Sequence, residues 1–137
     1  MAISLVMIDD SQVDIMMVKN ASKKLKEAVD FSSFISPEEA LEFIDKVSRG
    51  ELHLDDLIIL LDINMPKISG FEVLDLIRKD MEMFSTPVIM FSTSSNLEDF
   101  QIALEKGANA YLVKPISTRD YNNVIQSAVG FWKYHCH

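Results

Sequence analysis

The apolar run Leu57-Ile58-Ile59-Leu60-Leu61 ends directly on an acid, Asp62, and the segment Asp62-Ile63-Asn64-Met65-Pro66 then closes it. Its continuous apolar character is that of a strand buried on both faces. Pro66 lacks a backbone N–H, so the strand cannot continue through it. Two further runs end on charge in the same way. Ile3-Ser4-Leu5-Val6-Met7-Ile8 leads into Asp9-Asp10, and Ala110-Tyr111-Leu112-Val113 leads into Lys114.

Segments of helical periodicity separate these runs. Ser11 can cap a helix whose Val13, Met16, Met17, Ala21, Leu25 and Ala28 recur at helical spacing. A weaker strand spans Val29 to Ile35. Ser36-Pro37-Glu38-Glu39 is a helix start with Pro in the first turn and Glu39 placed to complete a capping box. Leu41, Ile44 and Val47 mark its apolar stripe, and Gly50 ends it. A polar connection, Glu51 to Asp56, leads into the Leu57 run. Gly70 opens a helix with Phe71, Leu74 and Ile77 inward. Pro87 starts a fourth strand, Val88 to Phe91, followed by the polar loop Ser92-Thr93-Ser94-Ser95-Asn96. Leu97, Phe100 and Leu104 form the next helix, which Gly107 stops. After the Ala110 run, a last helix carries Tyr121, Val124, Ile125, Ala128 and Trp132. Five strands alternating with five helices predict an α/β fold: a five-stranded parallel sheet, doubly wound as a (βα)5 flavodoxin-like sandwich.

With 137 residues, the chain suits one compact core, so residues 1–137 are expected to form a single domain. Hydrophobic residues at 48% and charged residues at 25% place it among globular rather than disordered sequences. No stretch approaches the roughly 18 apolar residues of a membrane span, and the N-terminus lacks the order of a signal peptide. One cysteine, Cys136, cannot form an internal disulfide. A cytoplasmic setting is the expectation. A net charge of −8 argues against nucleic acid as a direct partner, because phosphate backbones need clustered Lys and Arg.

In an open parallel sheet, ligands bind beyond the carboxyl ends of the strands. Asp9, Asp10, Asp62 and Lys114 would meet there. Unpaired carboxylates 4 Å apart repel by about 4 kcal/mol at an effective dielectric near 20, and a cation removes that cost. Mg²⁺ prefers such oxygen donors and keeps room for phosphate. Asp62 can also act as a nucleophile, since carboxylates form acyl-phosphates. Lys114 and the Ser92 hydroxyl can share the phosphoryl oxygens, while Pro115 restricts the Lys114 backbone and helps aim its side chain.

Asp9-Asp10, the Asp62-to-Pro66 segment with Gly70, Ser92 closing its strand and Lys114-Pro115 closely resemble the response-regulator receiver domain (CheY-like). The spacing matches over essentially the whole chain, with 30 residues from Asp62 to Ser92 and 22 from Ser92 to Lys114. The resemblance implies a phospho-accepting switch of a two-component or phosphorelay system rather than a turnover enzyme. It makes Asp62 the phosphoacceptor and Ser92 the switch hydroxyl, with Tyr111 an aromatic that moves between rotamers. It implies Mg²⁺ held by Asp10, Asp62 and the main-chain carbonyl of Asn64, with Asp9 acting indirectly. The implied donor is a phosphohistidine of a histidine kinase or histidine phosphotransfer protein. The implied output is a downstream protein on the face of the fourth helix, fifth strand and fifth helix. Ser at the switch position, where Thr is commoner, preserves the hydroxyl. The acidic segment with Glu51, Asp55 and Asp56, and the Phe131-Trp132 ending, resemble stand-alone receivers associated with phytochrome-type kinases, which carry no output domain.

Two other chemistries can use a similar sheet. A phosphatase-type hydrolase with an aspartyl-phosphate wants an acid two residues after the nucleophile, where this chain has Asn64. A flavin-mononucleotide carrier wants a hydroxyl- or glycine-rich phosphate loop after the first strand, where Asp9-Asp10 would repel it. Phe131 and Trp132 are adjacent and cannot share one helix face. At least one of them, with Tyr134, is expected to be left for a partner or a homodimer contact. His135-Cys136-His137 has metal-ligand types but cannot close a coordination shell alone, and it reads as a frayed tail.

Overall fold

The computed structural model describes residues 2–54 and 56–135. Asp55 and the Cys136-His137 end lie outside the described residues, as do the side chains of Tyr134 and His135.

The described chain alternates strand and helix: β1 (Ile3–Ile8), α1 (Gln12–Lys23), β2 (Val29–Phe34), α2 (Pro37–Ser48), β3 (Leu57–Leu61), α3 (Gly70–Asp75), β4 (Val88–Ser92), α4 (Leu97–Glu105), β5 (Ala110–Val113) and α5 (Thr118–His135). After α3 the coil widens into a π-helical turn, Leu76–Asp80. All strand pairs are parallel, in the order β2-β1-β3-β4-β5. The chain leaves β1 for β2 on one side and then crosses to β3 on the other. The two connections diverge, opening a crevice above the carboxyl ends of β1 and β3.

The central strands explain why the apolar runs are continuous. Every residue of β1, β3 and β4 is buried, and alternate side chains serve opposite layers. Val6, Ile8, Ile59, Leu61 and Met90 pack toward Ile44, Leu74 and Ile77 from α2, α3 and the π turn. Leu5, Met7, Ile58, Leu60 and Phe91 pack toward Val18, Tyr121, Ile125 and Val129 from α1 and α5. The edge strands β2 and β5 are only partly buried, which accounts for the polar residues of Val29–Phe34.

Ser11, Ser36, Ser69 and Asn96 each accept a backbone N–H at a helix start. At α2 the Ser36 hydroxyl accepts the Glu39 N–H at 3.4 Å and donates to the carboxylate of Glu38. The apolar residues of α1 divide between solvent and core. Val13 and Met16 are 71% and 61% exposed, while Val18 and Ala21 carry the packing. Leu97, Phe100 and Leu104 lie on the exposed side of α4, and Ala103 is its buried residue. In α3, Val73 joins Leu74 in full burial and Phe71 is half-buried. Phe131 is exposed and Trp132 buried, the division expected of adjacent helical residues.

Candidate functional site

The strand ladder continues one residue past each strand and fixes the backbone of three site residues. Asp9 N–H donates to Phe34 O, Asp62 N–H to Ile8 O and Lys114 N–H to Ser92 O, at 3.0, 3.0 and 2.7 Å. Three charged side chains therefore leave the sheet from rigid positions at one edge. Close packing from below fixes Asp62 further. The N-terminus of α3 presses against the Asp62-Ile63 backbone, and Gly70 N–H donates to Ile63 O at 2.8 Å.

Lys114 Nζ, in a side chain only 5% exposed, lies 2.7 Å from Asp9 Oδ2, 2.8 Å from Asp14 Oδ2 and 3.6 Å from Asp62 Oδ1. Asp9 is fully buried, and its other oxygen accepts the Ser11 N–H at 2.9 Å. Asp10 is exposed at the rim. Asp9, Asp10 and Asp62 can each offer one oxygen, with all three oxygens within 4.8 Å of one another. Three carboxylates, Asp9, Asp14 and Asp62, stand around the Lys114 ammonium, and Asp10 adds a fourth beside Asp9 and Asp62, so the cluster carries three uncompensated negative charges if all are ionised. Such a hard, all-oxygen cluster fits a divalent cation.

Burial raises the Asp62 carboxyl to about 6, the neighbouring Asp9 adds to the rise, and Lys114 offsets part of it. Burial also raises Asp9 despite the Lys114 contact. For Asp14 burial acts upward, but the Lys114 ammonium and the Tyr121 hydroxyl outweigh it and hold the carboxyl below its ordinary range. Lys114 loses charge stability to burial and regains more from Asp14, Asp9 and Asp62, so it stays protonated.

Ser92 is fully buried at the end of β4, and its hydroxyl oxygen accepts the Ser94 N–H at 3.2 Å. Tyr111 is half-buried on β5. Its hydroxyl donates to Ser94 O at 2.8 Å, and its ring lies 5.8 Å from that of Phe100. Ser94 also donates its own hydroxyl to Asp99. Asn64 is exposed on the loop after Asp62.

The structure thus gathers Asp9, Asp10, Asp62 and Lys114 in one crevice, with Ser92 ending the next strand. Tyr111 stands apart, on the α4 side. The sequence marks Ser94 only as part of a polar loop and does not single out Asp14. Asp14 lies in the first turn of α1, four residues after Asp10, and its partners come from the far end of the chain.

Residues 5–126 match the response regulator receiver domain, and the chain belongs to that family. It is similar to the response regulator Rcp1 of Synechocystis sp., with 28% identity over 130 residues that cover 93% of this chain and 87% of Rcp1. The structure of Mn²⁺-bound Rcp1 superposes with a TM-score of 0.83 at 26% identity, covering 98% of this chain and 96% of that one. RPA3017, a response regulator in red light signaling of R. palustris, superposes with a TM-score of 0.85 at 29% identity, covering 98% and 96%. The phosphorylated cyanobacterial phytochrome response regulator RcpA shares the fold, with a TM-score of 0.87 at 23% identity over 100% of this chain and 98% of that one. Receiver domains are signalling switches of two-component systems that interact with kinases and effectors, rather than turnover enzymes. Among the described residues, no helix is long and apolar enough to cross a membrane.

Proposed function

We propose that this receiver takes a phosphoryl group from a phosphohistidine onto Asp62, in a Mg²⁺-dependent reaction, and thereby changes its affinity for a protein partner. The observation that carries this reading is the placement of Lys114 Nζ 3.6 Å from Asp62 Oδ1, inside a cluster of carboxylates at the β1/β3 crevice. An Asp62 oxygen attacks phosphorus, the new O–P bond forms as the P–N bond breaks, and the imidazole leaves with the bonding electron pair and takes up a proton. Asp10, Asp62 and the main-chain carbonyl of Asn64 would hold the cation, with Asp9 supporting. Bound there, the cation supplies neutralisation of the phosphoryl charge. Lys114 donates to a phosphoryl oxygen, and Ser92 turns its hydroxyl toward another.

Exposed apolar residues beside the crevice support a docking donor. Val13 and Met16 on α1, and Ile116 two residues after Lys114, all face solvent. Leu97, Phe100, Leu104 and Val113 expose a second apolar face on α4 and β5. Tyr111 lies within it, so release of its hydroxyl from Ser94 O would alter that face for a downstream protein or a second copy. The likeness to Rcp1 and to RPA3017, a response regulator in red light signaling, over most of their lengths supports a receiver that works without an appended output module in light signalling, and a cytoplasmic setting is part of this reading.

Incubation of the protein with Mg²⁺ and acetyl phosphate, followed by intact mass measurement, tests the reading. One phosphoryl group is expected on wild type and none on Asp62→Ala. An equal gain by the variant overturns it, and so does no gain by wild type.

A further inference from the structure

We propose that Asp14 is a positioning residue that holds Lys114 back from Asp62 in the unphosphorylated protein, so that the phosphoryl group must win the ammonium away from it. This inference rests on the reading that Lys114 engages a phosphoryl group on Asp62.

An ammonium has three N–H donors. Asp14 Oδ2 accepts a hydrogen bond from it at 2.8 Å, Asp9 Oδ2 is an ion-pair contact at 2.7 Å without hydrogen-bond alignment, and Asp62 at 3.6 Å lies beyond hydrogen-bond range. Two acids therefore share Lys114, and the phosphoacceptor has only its longer-range attraction. The two holders differ. Asp9 is fully buried, and its second oxygen is engaged by the Ser11 N–H. Asp14 belongs to the first turn of α1, and its second oxygen accepts the Tyr121 hydroxyl from α5 at 3.0 Å. Tyr121 is itself buried, with its ring edge-on to Phe91 at 5.9 Å, so the Asp14 carboxylate is braced from behind. An acid in the first turn of a helix is often no more than a favourable partner for the helix dipole. That role needs neither a buried lysine nor a buried tyrosine, and Asp14 contacts both.

The bracing sets a cost for activation. When Asp62 gains a phosphoryl group, Lys114 must leave a fixed, charged acceptor to reach it. Without the Asp14 charge, the ammonium is freer to move, and the phosphoryl state gains relative to the resting one.

Binding of beryllofluoride in saturating Mg²⁺, followed by fluorine NMR, measures this competition on the whole chain. Asp14→Asn is expected to bind the mimic about fivefold more tightly than wild type, a change of roughly 1 kcal/mol. Asp14→Ala should do the same and covers the case in which the first variant folds poorly. The decisive comparison is made in a Lys114→Met background. If Asp14 acts through the lysine, Asp14→Asn has no effect there. Equal tightening with and without Lys114 would mean a general loss of negative charge and would overturn the inference. Unchanged affinity of both Asp14 variants in the presence of Lys114 would overturn it too, while Asp62 labelling by acetyl phosphate still upheld the acceptor role. Failure of both labelling and mimic binding in wild type would remove the two together.

Discussion

A β-carbon placed on Gly70 would lie 2.0 Å from the carbonyl oxygen of Asp62 and 2.9 Å from the Cα of Ile63. Both are backbone atoms, so no side chain can rotate away to make room. The first turn of α3 supports the proposed acceptor from beneath, and only glycine permits that approach. Gly70→Ala is expected to destabilise the fold by about 2–3 kcal/mol, as for overpacking against a rigid neighbour, and to weaken Mg²⁺ binding by displacing Asp62. Gly130→Ala is the matched control. It lies within α5 with nothing within 4 Å of its added β-carbon, so about 0.5–1 kcal/mol of stabilisation is expected from helix propensity. Urea denaturation of both variants measures the contrast.

Asp62 makes the metal-free protein weaker as pH rises. Its folded carboxyl titrates near 6 against an ordinary value of 3.8, so between these values the folded state binds more protons than the unfolded one. Stability then falls with increasing pH across that window. Asp9, also raised by burial, has the same sign. Asp14 has the opposite sign, but it acts below 3.8. Thermal melts in chelator should show the wild-type midpoint dropping from about pH 4 to about pH 6, with a flatter profile for Asp62→Asn. Above pH 6 the variant should be the more stable protein.

At the opposite end of the sheet, Arg78 holds three segments together. Nε donates to Gly107 O at 3.0 Å, Nη1 to Thr86 O at 2.8 Å and to Met83 O, and Nη2 to the Asn109 side chain at 2.8 Å. The side chain is buried, and burial lowers its hold on the proton. A lysine has a compact ammonium in place of the planar fork and cannot span these acceptors. Arg78→Lys is expected to cost about 1–3 kcal/mol, since it leaves several partly buried acceptors without their donor. Mg²⁺ affinity should stay within about twofold of wild type, because Arg78 lies remote from the crevice.

The two ends of the molecule were unequally legible in the sequence. Asp9, Asp10, Asp62 and Lys114 could be read because each follows an apolar run directly, and parallel strands deliver their carboxyl ends to one edge. Arg78 carries no such mark, because its partners lie up to 31 residues away and are mostly main-chain carbonyls. Asp14 was missed for the same reason, as Lys114 and Tyr121 stand 100 and 107 residues further on. Helical spacing identified α1 and α4 without showing which of their apolar residues are buried. Val13, Met16, Leu97 and Leu104 keep the periodicity of a buried stripe and yet point to solvent. Periodicity fixes which residues share a side, not what that side meets.

Divalent cation should stabilise this protein because the folded crevice alone assembles the cluster. Asp9, Asp10 and Asp62 bring their oxygens within 4.8 Å only when β1 and β3 are paired, so the unfolded chain offers no comparable site. A ligand that binds only the folded state adds RT ln(1 + [L]/Kd), about 2.7 kcal/mol at one hundred times Kd. Adding Mg²⁺ at neutral pH is therefore expected to raise the melting temperature by several degrees in a chain of this size. Asp10→Asn should lose most of that rise. Asp10 is exposed and Lys114 contacts its neighbours instead, so the variant should keep its metal-free stability within about 0.5 kcal/mol, as surface substitutions do. An unaltered Mg²⁺ response in Asp10→Asn would move the cation away from the β1 end of the crevice and leave Asp62 without its proposed coordinating neighbour.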